Sequence, residues 1–397
     1  MAKLSAETTT QILESFARTG NKTRTAAEVG VNRCTVVKVL SEEGNSKQVA
    51  AEIADRNREL HIERELLRDV RGEKSFRSFL EQVVRESVTP MPRTPATRSS
   101  RGTGSHELAF MLSLNDWHFE ETVKSEAVLG LNEYSVEVAC RRVWRVVDAC
   151  RHWHRDVEAG KRFRVRELTV ALNGDMVTGT LHGLEKKSDA PNIVRATIAC
   201  GDLIALAIRD LAKSFESVRV VGTVGNHGRL PDDKRVPTKD PTRSFDYLAY
   251  AVAQRRLGQC ENVTWELPEA YGVLYDVLGH TFYQAHGNFV PQQLGIVGYG
   301  LRRFTSALAA NLSAAGKPLK YAVFGHWHAK AEQEFAGVTA FISPSLIGTQ
   351  EYSFLGSGAV NRPAQLLLIV DRELGYVGSQ MFYGVGSGPE GTYEVDL

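Results

Sequence analysis

Five short segments, taken in chain order, carry side chains that could bind metal: Asn115-Asp116-Trp117-His118, Asn173-Gly174-Asp175, Gly225-Asn226-His227, Gln284-Ala285-His286 and Gly325-His326-Trp327-His328. Each follows an apolar, β-branched run, where a strand gives way to a loop. A single Asp-x-His is uninformative in a chain of 397 residues. Five such segments in order, all at strand ends, point to a two-metal centre and to metal-assisted hydrolysis of a phosphate ester. In a strand, residues i and i+2 share a face. Asp116 and His118 are therefore expected to address one ion together, as are His326 and His328. Gly174 lets the backbone turn, so that Asp175 can bridge two ions. Asn226 offers a neutral carbonyl oxygen, and His227 stands beside it. His152-Trp153-His154 is set aside, because in a helix residues i and i+2 diverge by about 200°.

The elements that must position these groups begin near residue 107, where strands and helices alternate. Strands are expected at 109–114, 168–172 and 218–224, with helices at 134–157, 193–212 and 244–257. Further strands fall within 263–286 and at 320–325, 338–343, 365–371 and 376–383. A β-α-β-α-β half followed by a strand-rich half predicts two packed sheets flanked by helices.

The first hundred residues have another texture. Ser5 can cap a helix over 6–19, with Ile12, Leu13, Phe16 and Ala17 on one face. Gly20-Asn21 stops it. A second helix follows over 23–28, then a turn at 29–32 and a third helix over 33–41. Ala26-Ala27, Gly30, Val31, Val36, Val37 and Leu40 form a helix-turn-helix pattern, with small residues where the helices cross and Gly30 at the turn. This part resembles the helix-turn-helix of resolvases and phage regulators. That resemblance implies that Asn32, Arg33, Thr35 and Lys38 face DNA. The expected organisation is a helix-turn-helix region at 1–46, a charged helical segment at 47–88, a flexible basic linker at 89–106 and a catalytic domain at 107–397. The 47–88 segment is a candidate homo-oligomer contact, although its apolar stripe is too irregular for a coiled coil. The Pro/Ser/Thr/Gly-rich composition of 89–106 cannot build a core.

Net charge is +1, so the whole molecule is not an electrostatic glove for nucleic acid. The balance is uneven, however, with 18 Lys/Arg against 14 Asp/Glu up to His106. Five scattered cysteines without a Cys-x-x-Cys fit a reducing cytoplasm. The polar N-terminus has no signal-peptide core, and no apolar run is long enough for a membrane span.

The series Asp-x-His, Gly-Asp, Gly-Asn-His, lone His and Gly-His-x-His resembles the calcineurin-like metallophosphoesterase superfamily over about residues 107–345. The resemblance implies a four-layer α/β/β/α sandwich, here with a small N-terminal all-α region. It implies that Asp116, His118, Asp175 and His328 hold one divalent transition-metal ion, and Asp175, Asn226, His286 and His326 a second. Mn²⁺ is the first expectation, with Fe or Zn²⁺ also suited to such mixed donors. His227 would be catalytic rather than a ligand, assisting the leaving group while a metal-bridging hydroxide attacks phosphorus in line. The chain departs from the family after Gly-Asn-His, where Gly228 replaces the common acidic residue. A carboxylate such as Asp232 or Asp233 would have to return to the site to orient His227. His182 and the basic loop with Arg229, Lys234, Arg235, Lys239 and Arg243 are candidate substrate contacts. So are Arg141, Arg142, Arg145, Arg151 and Arg155 on the helix at 134–157.

Together these features predict a phosphodiesterase acting on DNA, either a nuclease or an end-processing enzyme. The alternatives are a phosphatase or small-molecule phosphodiesterase, and a non-catalytic DNA-binding accessory protein.

Overall fold

The structure, a computed structural model, describes residues 5–19, 21–41, 82, 84–85, 88–93, 106–180, 188, 190, 192–230, 240–291, 297–386 and 390–397. Most of the 47–88 segment, residues 94–105, His182, Asp232, Asp233, Lys234, Arg235 and Lys239 lie outside them. The chain divides into two units, Met1–Ser78 and Phe79–Leu397.

The first unit holds three helices: α1 (Ala6–Thr19), α2 (Lys22–Val29) and α3 (Arg33–Ser41). Asn21 caps α2 by accepting from the amides of Thr23 and Arg24. Gly30, at φ +70, closes α2 in the left-handed conformation. The core is Ile12, Leu13, Ala26, Val36 and Val39. Val37, expected inside, is exposed at 41%, and Val39 is buried instead. Asn32, Arg33 and Lys38 are exposed and Thr35 is half-buried. Asn32 accepts the Cys34 amide at 2.9 Å, so its side chain starts α3.

The second unit is the expected α/β sandwich. Its first sheet contains β1 (His106–Leu114), β2 (Phe163–Asn173), β3 (Ser217–Thr223), β4 (Val263–Glu266), β10 (Ala364–Asp371) and β11 (Gly375–Tyr383), in the order β11-β10-β1-β2-β3-β4. β1 to β4 run parallel, and β10 is antiparallel to β1. Strands buried on both faces explain the continuous apolar runs of β1 and β2. The second sheet is β5 (Gly272–Val277), β6 (His280–Ala285), β7 (Tyr321–Phe324), β9 (Val338–Ile342) and β8 (Ala331–Phe335), in that order. Between the sheets, Ala109, Met111, Ala171 and Val221 meet Phe282, Val323 and Phe341.

Helices α4 (Val136–Ala159), α5 (Ile193–Ala212) and α6 (Phe245–Arg256) cover the first sheet. Helix α7 (Val297–Ala314) covers the second, with Leu301 and Phe304 against Phe324, Ala340 and Ile342. Helix α7, β8 and a short α8 (Glu351–Ser357) were not expected from the sequence. No helix among the described residues is long and apolar enough to cross a membrane.

The segment expected to be a linker is not free at its start. Val88 is buried, the Met91 amide donates to the Arg256 carbonyl at 2.7 Å, and Arg256 donates to the Thr89 carbonyl. Arg256 also pairs with Asp202, and Arg93 pairs with Glu261. Pro90 and Pro92 suit an extended strap, whose backbone groups these partners satisfy.

Replacing Gly30 by Val places a β-branched residue in left-handed backbone, at a cost of about 1–2 kcal/mol. The α2 and α3 amides of Gly30→Val are expected to exchange with deuterium about tenfold faster than in the wild-type chain, with the second unit unchanged.

Candidate metal centre

All five segments converge at the C-terminal ends of β1, β2, β3, β6 and β7, where parallel strands open into loops. Three groups of side chains bring their ligand atoms within 4.8 Å of one another: Asp116, His118 and His328; His118, Asp175 and His227; and Asp175, His286 and His326. Asn226 is buried at 9% exposure, with its Oδ1 facing no donor among the described residues. Seven of the eight residues expected to act at the centre thus fall into these groups, and Asn226 precedes His227 on the same loop.

The ligands do not reach that place as alternate residues of a strand. β1 ends at Leu114, and Asp116 and His118 both lie beyond it with φ of 50° and 46°. Asp175, His326 and His328 are likewise left-handed, at 50°, 72° and 59°. The i, i+2 argument thus gave the right pairs by the wrong geometry. Paired αL turns, not a pleat, aim them. Hydrogen bonds between loops fix these turns. The amides of Asp116, His118 and Phe119 donate to the carbonyls of Gly174, Asp175 and Met176 at 3.0–3.1 Å. The His227 amide donates to Asp175 Oδ1 at 2.8 Å, and the His326 amide to Asp116 Oδ2 at 3.0 Å. The approach is so close that a Cβ on Gly225 would stand 2.1 Å from Asp175 Oδ1, and one on Gly174 would stand 2.3 Å from the Gly225 nitrogen.

Two buried ligand atoms, His118 Nε2 and Asn226 Oδ1, lack hydrogen-bond partners among the described residues, and Asp116 Oδ1 and His286 Nε2 meet only other members of the cluster. Such atoms are costly unless something meets them. His286 Nε2 lies 2.9 Å from Asp175 Oδ2, and His328 Nε2 lies 3.3 Å from Asp116 Oδ1, pairs whose lone pairs a divalent cation would satisfy. The donor set of imidazoles, carboxylates and one amide oxygen fits a transition-metal ion. The outer nitrogens are already oriented. His286 Nδ1 donates to the Asn173 carbonyl at 2.8 Å. His118 Nδ1 lies 3.4 Å from Thr178 Oγ1, which donates to Glu121 Oε2, which in turn accepts from Gln350. Such chains set tautomer and ring angle at metal sites.

Charge follows the same plan. Burial pushes the Asp116 carboxyl upward, but His328 and His286 outweigh it and hold it at about 2. Asp175 lies well below the ordinary carboxylate range because His286, His227 and His118 overcome burial. Burial pushes His286 down, yet Asp175 and Asp116 hold it up at about 9. His328 is raised as well, Asp116 outweighing burial. His326 is lowered to about 4 by burial and by His286, and His118 lies well below its usual value through burial and His227.

His227 packs edge-on against His118, with centroids 4.7 Å apart, and its Nδ1 donates to the Thr178 carbonyl at 3.3 Å. A backbone carbonyl thus orients the ring. Asp232 and Asp233 lie outside the described residues; among the described ones, the carboxylate that reaches this region is Asp246, at the start of α6, and it accepts from the Asp175 and Gly225 amides. The sequence reading missed Asp246, and it missed Gln365 on β10. Gln365 Oε1 accepts from the Asn115 amide and Trp117 Nε1, and its Nε2 donates to the Asn115 and Pro344 carbonyls. No motif spacing marks either residue, since each reaches the site from a distant strand or helix.

Four of the five α4 arginines, all but Arg155, bond groups within the domain. Arg142 is buried and donates to the carbonyls of Leu346, Ile347 and Glu133 and to Asn132. Arg141 bonds Glu137, Arg145 bonds the Gly386 carbonyl, and Arg151 bonds Ser214. The discounted His152 and His154 bond the carbonyls of Asp148 and Val165, away from the centre.

No family model and no curated protein matches the chain. Among solved structures, it is similar to a conserved uncharacterized protein, described as a predicted phosphoesterase, from Streptococcus pneumoniae TIGR4, at 9% identity and TM-score 0.28, covering 70% of this chain and 98% of that one. It is also similar to wild-type Vps29 complexed with Zn²⁺ from Entamoeba histolytica, at 11% identity and TM-score 0.29, covering 70% and 99%. A third is a novel archaeal phosphodiesterase, at 9% identity and TM-score 0.30, covering 69% and 99%. Likeness at this level carries no functional argument, which rests on the site itself.

Two measurements check this geometry. Gln365→Ala leaves the Asn115 and Trp117 donors unmet, so its urea-unfolding free energy is expected to fall by about 1–3 kcal/mol. In EDTA, stability should fall between pH 6.5 and 9. His286 and His328 are raised, so their contribution is complete below the unfolded value of 6.5 and is lost as pH rises through about 9 for His286. Urea midpoints at pH 6.5 and 9 would show the fall; a midpoint rising from 6.5 to 9 would contradict it.

Proposed function

We propose that the chain is a metal-dependent phosphodiesterase that acts on DNA brought to it by the N-terminal unit. The observation that carries the reading is the convergence of buried carboxylates and imidazoles at the strand ends, where His118 Nε2 and Asn226 Oδ1 lack hydrogen-bond partners among the described residues. Asp116, His118, Asp175 and His328 would hold one ion, and Asp175, Asn226, His286 and His326 a second. Two divalent ions supply Lewis acidity and an acidified water, and they neutralise charge that develops on a phosphoryl group. Mn²⁺ is the first choice, ahead of Fe and Zn²⁺.

The protein's own part is positional. Asp175, gripped by the His227 amide and next to His286, is the natural bridge between the two groups. His227 is kept beside the same cluster by Thr178, where its ring would meet the leaving-group oxygen and hand it a proton or hydrogen bond. It sits too close to His118 and Asp175 to serve a remote structural purpose.

DNA is favoured as substrate by the first unit. We read α2 and α3 as a helix-turn-helix, with Arg33 and Lys38 exposed on the helix that would enter the major groove. Asn32 would act through the capped helix start, and Thr35 from its flank. Joining a DNA-binding unit to a hydrolytic one raises the local concentration of DNA at the metals.

The test is Mn²⁺-dependent hydrolysis of labelled single-stranded, duplex and nicked DNA, with bis-p-nitrophenyl phosphate alongside. Asp175→Asn is expected to abolish turnover and His227→Ala to lower kcat by about 10²–10⁴-fold. Turnover of the small diester alone would move the substrate to a phosphatase or small-molecule phosphodiesterase. DNA binding without turnover of either would make the protein a non-catalytic accessory factor.

A further inference from the structure

Resting on the metal reading above, we infer that Asp246, at the start of α6, is a positioning residue of the centre. Asp246 is fully buried. Its Oδ2 accepts the Asp175 amide at 3.0 Å and the Gly225 amide at 2.8 Å, and its Oδ1 accepts the Met176 amide at 3.0 Å. One side chain therefore ties the loop after β2, which carries Asp175, to the loop after β3, which carries Asn226 and His227. The separation of those loops is the separation of a bridging ligand from a ligand of one ion, so it sets whether two ions fit.

Asp246 is itself held. Ser244 caps α6 by accepting the Asp246 amide at 3.2 Å, and the Phe245 amide donates to the Gly228 carbonyl at 2.8 Å. This close approach is open only to glycine at 228. A Cβ there would lie 2.8 Å from Ser244 Oγ, 2.9 Å from the Asp246 nitrogen and 3.1 Å from Asp246 Cγ. A side chain at 228 would crowd Ser244 Oγ and the Asp246 amide first and the Asp246 carboxyl carbon next, so glycine there lets the first turn of α6 close on the Gly228 carbonyl. Asp246 does not touch the reacting atoms; it acts through Asp175, Asn226 and His227.

The experiment is calorimetric titration of the EDTA-stripped full-length chain with Mn²⁺, together with kcat and KM on bis-p-nitrophenyl phosphate. Asp246→Asn is nearly isosteric and keeps one acceptor oxygen. It is expected to bind Mn²⁺ about tenfold or more weakly, the usual effect of removing an outer partner of a metal ligand. At saturating Mn²⁺ its kcat should fall while KM stays within about twofold, because no substrate contact is lost. Gly228→Ala, which displaces the carboxylate without removing it, should shift Mn²⁺ affinity in the same direction and serves if Asp246→Asn does not fold. Wild-type Mn²⁺ affinity in folded Asp246→Asn overturns the inference and leaves the metal centre standing. A wild-type chain that binds no Mn²⁺ overturns both.

Discussion

Five of the seven candidate ligands occupy left-handed backbone that their side chains disfavour, and much of the second unit exists to hold them there. Each such residue costs on the order of 1–3 kcal/mol, and it persists only where its surroundings over-determine it. Here they do. The loop carrying Asp116 and His118 is laddered to the loop carrying Asp175, and the Leu346 amide donates to the Asp116 carbonyl at 3.2 Å. Gln365 grips the first loop from β10, and Arg142 grips the stretch around Leu346 and Ile347 from α4. The sandwich supplies the anchor points. Parallel strands end together on one side, so loops from both sheets meet without long excursions.

The electrostatics explain why such strain is worth holding. Two carboxylates stay ionised in the interior because imidazoles stand against them, while other imidazoles in the same cluster are pushed neutral by burial. That mixture is poorly satisfied by hydrogen bonds alone, as the partnerless oxygen and nitrogen atoms record. A divalent cation would meet the anionic oxygens and the neutral nitrogens at once. It would also displace the proton that Asp175 and Asp116 otherwise favour on His286. The metal-free cluster is therefore a frustrated one, and protons and metal compete for it.

The ligands were legible in the sequence because each closes an apolar run and each has a distinctive residue type. The pairs Asp116/His118 and His326/His328 were legible too, although their geometry was misread: periodicity says nothing about αL turns beyond a strand end. The supporting residues were not legible. Glutamine at 365 inside β10, threonine at 178 and aspartate at 246 are ordinary residues in ordinary elements, and only the tertiary fold brings them to the loops. Helix α7 was missed despite its 18 residues, and β8, Ala-Glu-Gln-Glu-Phe, carries too few apolar residues to mark a strand. In the first unit the pattern found three helices but put Val37 inside and Val39 out. A nine-residue helix offers too few turns to fix its buried face from spacing alone.

Composition also misled at the strap of residues 88–93. Proline, threonine and arginine read as linker chemistry, yet this segment lies along the α5–α6 side of the sandwich. Its few polar groups meet Arg256, Arg209 and Glu261 there. Low apolar content excludes a core of its own; it does not exclude docking on someone else's surface. The consequence reaches the site. Arg256 ends α6, the helix that begins at Ser244 and Asp246, and its guanidinium joins that end to Asp202 on α5. The helix whose first turn holds the two ligand loops is thus pinned at its last turn by the strap.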